Sequence, residues 1–187
     1  MSLRPSRLSF AEFLAYEATQ EGKHEFVDGL VVDFVGGDLR HALIVTNVIA
    51  AIRPVLHPPA IVIGSDAVIP TERGARHADI VVTAFDAANP QPLVRAPSTL
   101  VEVISDLTAV IDMTEKVEEY TAIPHLREYV IVDSRKRWVQ VVRRDAHEWR
   151  YAVPQISGSL VLQSLDLVLD FDTIYADAGI TARGASA

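Results

Sequence analysis

Apolar positions recur with a helical period in the first third of the chain, and this pattern predicts two helices. The first covers residues 10–20, and Ser9, with a glutamate three residues later, has the spacing of a capping box. The second covers residues 39–56 and ends at a pair of prolines. Between them, Asp28-Gly29 separates two β-rich runs and predicts a hairpin, because a type I′ turn needs positive φ at both central residues.

The rest of the chain consists mainly of short apolar runs that predict strands. These runs cover residues 60–69, 77–84, 99–104, 128–133, 138–143, 149–153 and 160–162. A turn over residues 71–76 joins the first two, and a short polar helix over residues 112–121 follows the third. Strands this short and apolar are typical of a sheet buried on both faces. The order of elements predicts an α/β fold in which helices flank a mixed β-sheet, with a helix and a hairpin at the N-terminus.

Length and composition place the chain among globular proteins. Its 187 residues predict a single domain over residues 1–187, with a core over about residues 9–175 and flexible ends. The chain contains no cysteine, which fits the reducing cytoplasm. It shows neither the apolar segment of a signal peptide nor a stretch long enough to span a bilayer, so we expect a cytoplasmic protein without a membrane partner.

The net charge of −8 argues against non-specific coating of nucleic acid. The charge is uneven, however. Residues 123–150 hold seven Arg or Lys against four Asp or Glu, a local excess of +3. This basic strip on the late strands is able to face a phosphate backbone, although solvated strand edges and turns would give the same composition.

Two acidic residues stand inside apolar strands. Asp79 lies in His-Ala-Asp-Ile-Val-Val-Thr, and Glu102 lies in Leu-Val-Glu-Val-Ile-Ser. A buried carboxylate is costly without a cation or hydrogen-bond donors, and two of them facing each other would repel. For either residue alone a salt bridge or a solvated edge is the more ordinary explanation. For the pair, a divalent metal such as Mg²⁺ is slightly favoured, because it binds carboxylate oxygens.

Other polar residues are ambiguous from spacing alone. Lys116 lies early in the polar helix, with Tyr120 one turn later, and is able to hold a phosphate or orient a water. An ordinary surface lysine paired with Asp112 is the better interpretation of that spacing. Glu25 is typical of an exposed strand acid, and His41 is typical of a packed or capping histidine.

A series of short stretches nevertheless occurs in a characteristic order. They are Phe10-Ala11-Glu12-Phe13-Leu14, His24-Glu25-Phe26-Val27-Asp28-Gly29, His41 at the start of a helix, Ala78-Asp79-Ile80-Val81-Val82, Leu100-Val101-Glu102-Val103-Ile104-Ser105, Lys116 with Tyr120, and Glu128-Tyr129-Val130-Ile131-Val132-Asp133. Each stretch is weak by itself. Together, over roughly residues 8–145, they resemble the Uma-two family of bacterial endonucleases, a branch of the PD-(D/E)XK nuclease superfamily.

The resemblance implies a restriction-endonuclease-like core, a Mg²⁺ or Mn²⁺ cofactor and DNA as substrate. It implies that Asp79 and Glu102 are metal-binding acids, with Glu25 as an additional acid, and that Lys116 is the catalytic lysine. Secondary candidates for the site are His41, Tyr120 and Asp106.

Two positions depart from the superfamily pattern. Ala78 stands where proline is usual, which is a minor change. Ile104 stands two residues after Glu102, where a lysine is usual and would share the face of that acid. The resemblance implies that Lys116 replaces it from the helix.

These observations lead to three hypotheses. The first is a metal-dependent endonuclease that hydrolyses DNA phosphodiester bonds, acting as a homodimer because double-strand cleavage needs two active sites. The second is a catalytically inactive binding protein of the same fold for nucleic acid or a protein partner, which Ile104 and the acidic surface favour. The third is hydrolysis of a small phosphodiester or nucleotide.

Overall fold

The computed structural model describes residues 7–34, 36–146 and 148–181. The predicted flexible ends lie mostly outside these residues. The helices are α1 (Phe10–Glu17), α2 (Leu39–Ile52), α3 (Ala109–Met113), α4 (Glu115–Thr121) and α5 (Phe171–Ile174). The strands are β1 (His24–Val27), β2 (Leu30–Asp33), β3 (Ala60–Ile63), β4 (Val68–Thr71), β5 (Gly74–His77), β6 (Ile80–Ala84), β7 (Thr99–Ile104), β8 (Glu128–Asp133), β9 (Val139–Asp145), β10 (Glu148–Tyr151), β11 (Ser159–Leu162) and β12 (Leu167–Asp170).

A six-stranded mixed sheet forms the centre of the fold. Its order is β10-β9-β8-β7-β6-β3, and β7 runs parallel to β8 while the other pairs are antiparallel. All residues of β7 and β8 are buried, as expected for central strands covered on both faces. Helices α3 and α4 make the crossover that a parallel pair requires. The predicted α/β fold with a mixed sheet flanked by helices is confirmed.

Alternate residues of β7 pack into two different cores. Val101 and Val103 join α2, α5 and the β11–β12 hairpin on one face of the sheet. Leu100 and Ile104 join α4 on the opposite face. Since side chains alternate along a strand, Glu102 shares the second face and points toward α4.

A second sheet corrects the prediction for residues 60–84. The predicted strand over 60–69 divides at Gly64 into β3 and β4, and the one over 77–84 is β6 alone, because β5 occupies part of the predicted turn. Strands β4 and β5 form a hairpin that joins β1 and β2 in an antiparallel sheet of order β2-β1-β5-β4. Asp79 therefore lies where the chain leaves one sheet and enters the other, and not within a strand.

Local signals at the N-terminus agree with the structure. The Ser9 side chain accepts a hydrogen bond from the Glu12 amide, and the Glu12 carboxylate accepts one from the Ser9 amide, which completes the capping box. Asp28 and Gly29 have φ values of 50° and 88°, as the type I′ turn requires. Helix α2 ends at Ile52, just before Pro54, and continues only as a 3₁₀ turn.

Two predictions near the middle and end of the chain need correction. The polar helix starts earlier than residue 112 and breaks at Thr114, whose φ and ψ of −127° and −81° are not helical. The last apolar run, β11, has a partner in β12, which the sequence pattern did not predict. No helix among the described residues is long and apolar enough to cross a membrane.

Gly74 fixes the contact between β1 and β5, and hence the position of Glu25 beside Arg76. Its φ is +147°, and an added Cβ would lie 2.0 Å from the backbone oxygen of Phe26. We expect Gly74→Ala to lower the free energy of unfolding by about 3 kcal/mol or more in urea titrations. Gly158 also has positive φ, +94°, but open space around it, so Gly158→Ala should cost only about 1 kcal/mol. Equal losses would contradict the steric argument.

Candidate active site

A narrow cleft opens where the two sheets meet, beside the N-terminus of α2. We call it the carboxylate cleft, and it is lined by Phe34, Gly37, His41, Asp79, Glu102, Val103, Ser105, Thr108, Asp112 and Lys116. Its volume of about 20 Å³ is enough for one water-sized species. The structure thus brings three buried carboxylates and one buried ammonium group to a single small space.

Asp79 is held by backbone and side-chain contacts that aim it into the cleft. Its Oδ2 accepts a hydrogen bond from the Val103 amide at 2.8 Å and lies 3.0 Å from His41 Nε2. The Asp79 amide in turn donates to Glu102 Oε2 at 3.2 Å. These bonds link the junction of the two sheets to the end of β7 and orient both acids.

Glu102 lies at the centre of the site and is 2% exposed. Its Oε1 accepts hydrogen bonds from Lys116 Nζ at 2.9 Å and from the Tyr120 hydroxyl at 3.1 Å. Burial raises the pKa of Glu102 well above its ordinary value, and the charges of Asp112 and Asp79 raise it further, while Lys116 lowers it. The protein therefore holds this acid in an environment that favours an additional positive charge.

Lys116 reaches the cleft from α4, as the family resemblance implied. Its Nζ contacts Glu102 at 2.9 Å, Asp112 at 3.0 Å and the His77 carbonyl oxygen at 3.1 Å. Burial acts to lower the pKa of Lys116, but the carboxylates outweigh it and raise the pKa well above its usual range. The surface-lysine interpretation is wrong, although the Asp112 contact that it assumed exists.

Because Ile104 occupies its position on β7, that strand offers no lysine beside Glu102. Ile104 shares the face of Glu102 on β7, is 1% exposed, and packs in the core beneath α4. Lys116 of α4 contacts Glu102 at 2.9 Å. The ammonium group therefore reaches Glu102 without a lysine on the strand.

Glu25 lies beside the cleft, in a second buried ion-pair network. Its Oε2 contacts Arg76 at 2.9 Å, and its Oε1 lies 3.4 Å from Lys116 Nζ and accepts the His77 amide at 3.1 Å. Burial acts to raise the pKa of Glu25, but Lys116 and Arg76 together lower it. Both oxygens are thus engaged by protein donors, and Glu25 does not line the carboxylate cleft.

The three secondary candidates have different positions. His41 contacts Asp79 and lies in the first turn of α2, where the Asp38 side chain caps its amide at 2.9 Å. Tyr120 is fully buried and donates to Glu102. Asp106 lies outside the cleft, with its side chain 84% exposed and paired with Arg135.

Sequence reasoning missed Asp112 and Arg76 as site residues. Asp112 is 3% exposed, and its Oδ1 lies 3.0 Å from Lys116 Nζ but forms no directed hydrogen bond with a described residue. Arg76, assigned to a turn, donates to Glu25 and to Glu119 at 2.6 Å. The available signal was physical: a buried acid needs a cation or hydrogen-bond donors, so an acid in an apolar strand indicates such partners nearby.

The donor set of the cleft fits a hard divalent cation. Asp79, Glu102 and Asp112 present carboxylate oxygens to the same space, and the Asp112 Oδ1 lacks a directed hydrogen bond. Within residues 7–34, 36–146 and 148–181, no group of three or more His, Asp or Glu side chains is arranged so that it could hold a metal ion by itself. One or two carboxylates are sufficient for Mg²⁺, which keeps waters and substrate phosphate oxygens as its other ligands.

The buried Arg76 network generates a prediction about stability. Arg76→Leu leaves Glu25 and Glu119 buried without their main cation, so we expect a loss of about 3–5 kcal/mol in the free energy of unfolding. Arg73 is the matched control, because it contacts the same Glu115 but is 40% exposed. Arg73→Leu should cost less than about 1 kcal/mol. Urea denaturation of both variants measures the difference, and similar losses would contradict the role of burial.

Comparisons with known proteins agree with this architecture. A family model, Uma2, described as "Putative restriction endonuclease", matches residues 10–175. An uncharacterized protein of Synechocystis sp. strain PCC 6803 is 29% identical over 175 residues, which cover 90% of this chain and 92% of that protein. A crystal structure of "a putative nuclease belonging to DUF820" from Anabaena variabilis matches with a TM-score of 0.68.

The likeness to the Anabaena protein concerns the fold, since identity is 15% over 90% of this chain and 97% of that one. The family match is broader evidence, because it includes α1, both sheets, the carboxylate cleft and the crossover helices. The chain therefore belongs to the Uma2 family of restriction-endonuclease-like proteins.

Proposed function

We propose that the protein is a metal-dependent endonuclease that hydrolyses DNA phosphodiester bonds in the carboxylate cleft. The observation that supports this most directly is the convergence of Asp79, Glu102 and Lys116, which come from the junction between β5 and β6, from β7 and from α4. A purely structural role would have left these groups paired one to one. Here two or more carboxylates remain for each buried cation.

The charge balance supports a divalent cofactor. Five buried acids surround the site, namely Glu25, Asp79, Glu102, Asp112 and Glu119, and the only buried lysine or arginine side chains near them in the described chain are Lys116 and Arg76. With all of them ionised, three negative charges remain. Asp79 and Glu102 would hold a Mg²⁺ or Mn²⁺ ion, which would supply an activated water and neutralise phosphate charge, while Asp112 adds negative charge beside them.

The protein's own groups have separate tasks in this proposal. Asp79 and Glu102 are fixed by the Val103 and Asp79 amides, so their oxygens keep a constant position. Lys116 lines the cleft, and in this proposal its ammonium group stabilises negative charge on the phosphate or orients the attacking water. Tyr120 holds the Glu102 carboxylate, and His41 holds Asp79. We assign both of them to positioning.

Glu25 acts in this proposal through Lys116. Its carboxylate lies 3.4 Å from the lysine Nζ and is itself fixed by Arg76 and the His77 amide. It raises the pKa of Lys116 and keeps the ammonium group charged. A direct contact with a metal would require it to leave these donors.

One observation favours a second candidate function, an inactive nuclease-fold protein that binds nucleic acid or a protein partner. The Lys116 ammonium group lies within 3.0 Å of both Glu102 and Asp112, and thereby satisfies part of the acidic charge without a metal. The two functions differ in whether Mn²⁺ binds at these residues, and calorimetric titration of Mn²⁺ into wild type and Glu102→Gln separates them.

Double-strand cleavage further implies a homodimer, since each chain contributes one cleft. Analytical ultracentrifugation with and without a DNA duplex tests this part of the proposal. The proposed compartment is the cytoplasm, where DNA is accessible.

Removal of either cleft carboxylate is expected to stop cleavage. Asp79→Asn and Glu102→Gln should each reduce nicking of supercoiled plasmid in Mg²⁺ or Mn²⁺ by roughly 100-fold or more, because the charge that binds the cation is lost. Glu118→Gln is the control, since Glu118 is an exposed acid on α4 and does not line the cleft. Wild-type rates in either cleft variant, with folding verified by circular dichroism, would refute the assignment.

Lys116 offers a test that separates cleavage from metal binding. Lys116→Met removes a positive charge from beside Glu102 and Asp112, so Mn²⁺ should bind more tightly in calorimetry while plasmid cleavage falls by roughly 100-fold. A merely structural lysine would leave the cleavage rate of the folded fraction unchanged. Weaker Mn²⁺ binding than in wild type would contradict the placement of the metal among these acids.

A further inference from the structure

A second cavity, larger than the carboxylate cleft, is lined by Arg40, whose neighbour His41 lines the cleft. The volume of this second cavity is about 450 Å³. We call it the basic pocket, and its lining residues include Arg40, Arg135, Lys136, Arg137, Trp138 and Ile156. Four of these side chains carry a positive charge, and no acidic residue of the described chain lines the pocket.

Backbone contacts connect the basic pocket to the cleft. Arg40 immediately precedes His41, whose ring contacts Asp79. On the other side, the Ser134 amide and hydroxyl both donate to the Ile104 carbonyl oxygen, at 3.0 and 2.9 Å. The turn that carries Arg135, Lys136 and Arg137 is thereby attached to β7 two residues after Glu102.

The four cationic side chains differ in how closely they are paired with carboxylates. Arg135 is bound by Asp133, with Arg135 Nη2 2.7 Å from its Oδ2, and by Asp106, while Arg137 contacts Asp172 at 2.5 Å. Arg137 also has a buried Nε that forms no hydrogen bond with a described residue. These two arginines line the pocket, but their positive charges are already paired with carboxylates.

Arg40 and Lys136 supply the free charge. Arg40 is exposed and forms no ion pair within the described part of the chain. Lys136 is 65% exposed and lies 3.9 Å from its nearest carboxylate, that of Asp133. Exposed, weakly paired cations around a cavity that contains no acid are typical of a site for phosphate groups.

The basic strip predicted over residues 123–150 is corrected by these contacts. Arg143 is paired with the buried Glu128 at 2.7 Å, and Arg144 donates to carbonyl oxygens at the end of α4. Arg150 is paired with Asp145. From the strip, residues 135–138 line the basic pocket, and Arg40 of α2, which lies outside the strip, supplies a further free cation.

We propose that the basic pocket binds the phosphate backbone of the polynucleotide strand next to the bond that is cut, with Arg40 and Lys136 as its principal phosphate contacts. The inference rests on the proposed function for the identity of the substrate. The cleft of about 20 Å³ takes little more than one reacting group, whereas the pocket has room for a backbone segment. The acidic cleft repels a phosphate, and the pocket supplies the compensating attraction.

The test compares two double variants that change the net charge equally. Arg40→Ala/Lys136→Ala removes the free cations of the pocket. Arg53→Ala/Arg127→Ala is the matched control, because Arg53 follows the opposite end of α2 and Arg127 precedes the opposite end of β8. Neither control residue forms an ion pair within the described part of the chain, and neither lines the carboxylate cleft.

Binding is measured by fluorescence anisotropy of a labelled 20-bp DNA duplex, in EDTA and again in Ca²⁺, over a range of salt concentrations. We expect the pocket variant to bind roughly tenfold or more weakly and its log–log salt slope to become shallower by about two, since about 0.9 is lost for each phosphate contact. The control variant should match wild type. Equal behaviour of the two variants, or no duplex binding by wild type in either buffer, would overturn the proposal.

Plasmid nicking in Mg²⁺ or Mn²⁺ separates this proposal from the catalytic one. If the pocket variant binds the duplex more weakly than wild type but wild type does not cleave plasmid, the pocket proposal is supported and the nuclease function is rejected. If wild type cleaves plasmid and the pocket variant binds the duplex as wild type does, the nuclease function is supported and the pocket proposal is rejected. The pocket proposal would also be rejected if the pocket variant lost binding of inorganic phosphate or a dinucleotide but kept its duplex binding. The pocket would then be a site for a small anion.

Discussion

The buried contact between Lys116 and Glu102 is the interaction on which the site depends. Two oppositely charged groups removed from water need each other and further hydrogen bonds to be tolerated. Glu102 receives them from Tyr120 and the Asp79 amide, and Lys116 contacts Asp112 and the His77 carbonyl. This one pair therefore holds together β7, α4 and the strand junction at Asp79.

Around that pair the buried acids outnumber the buried cations. This excess of negative charge is the feature that links the fold to the proposed binding of a metal ion. A stable fold alone is better served by matched pairs or by apolar residues of similar size. Arg76 offsets one of the two charges of Glu25 and Glu119 outside the cleft, and most of the remaining negative charge belongs to the three acids that line the cleft with Lys116. That asymmetry favours a divalent cation, and under the proposed function a polyanionic substrate would need separate positive contacts nearby.

Much of the fold was predictable because local physics determines it. The capping box at Ser9, the Asp28-Gly29 turn and the apolar β7 and β8 each depend on neighbouring residues or on simple periodicity. The division of residues 60–84 between two sheets was not predictable in this way. Strand β4 begins in the same apolar run as β3, and β5 has the polar composition of a turn, so only the pairing of β5 with β1 and β4 assigns both strands to the second sheet.

The sequence by itself determined the types of elements, the family and the unusual placement of Asp79 and Glu102 among apolar residues. Spacing indicated that Lys116 was a surface lysine, and only the family resemblance implied otherwise. The tertiary structure decided which residues meet: it buried Lys116 and Asp112, engaged Glu25 with Arg76, excluded Asp106 and brought Arg40 beside the turn after β8. These contacts join residues far apart in the chain, and no periodic pattern encodes them, because they depend on how the two sheets and α4 pack together.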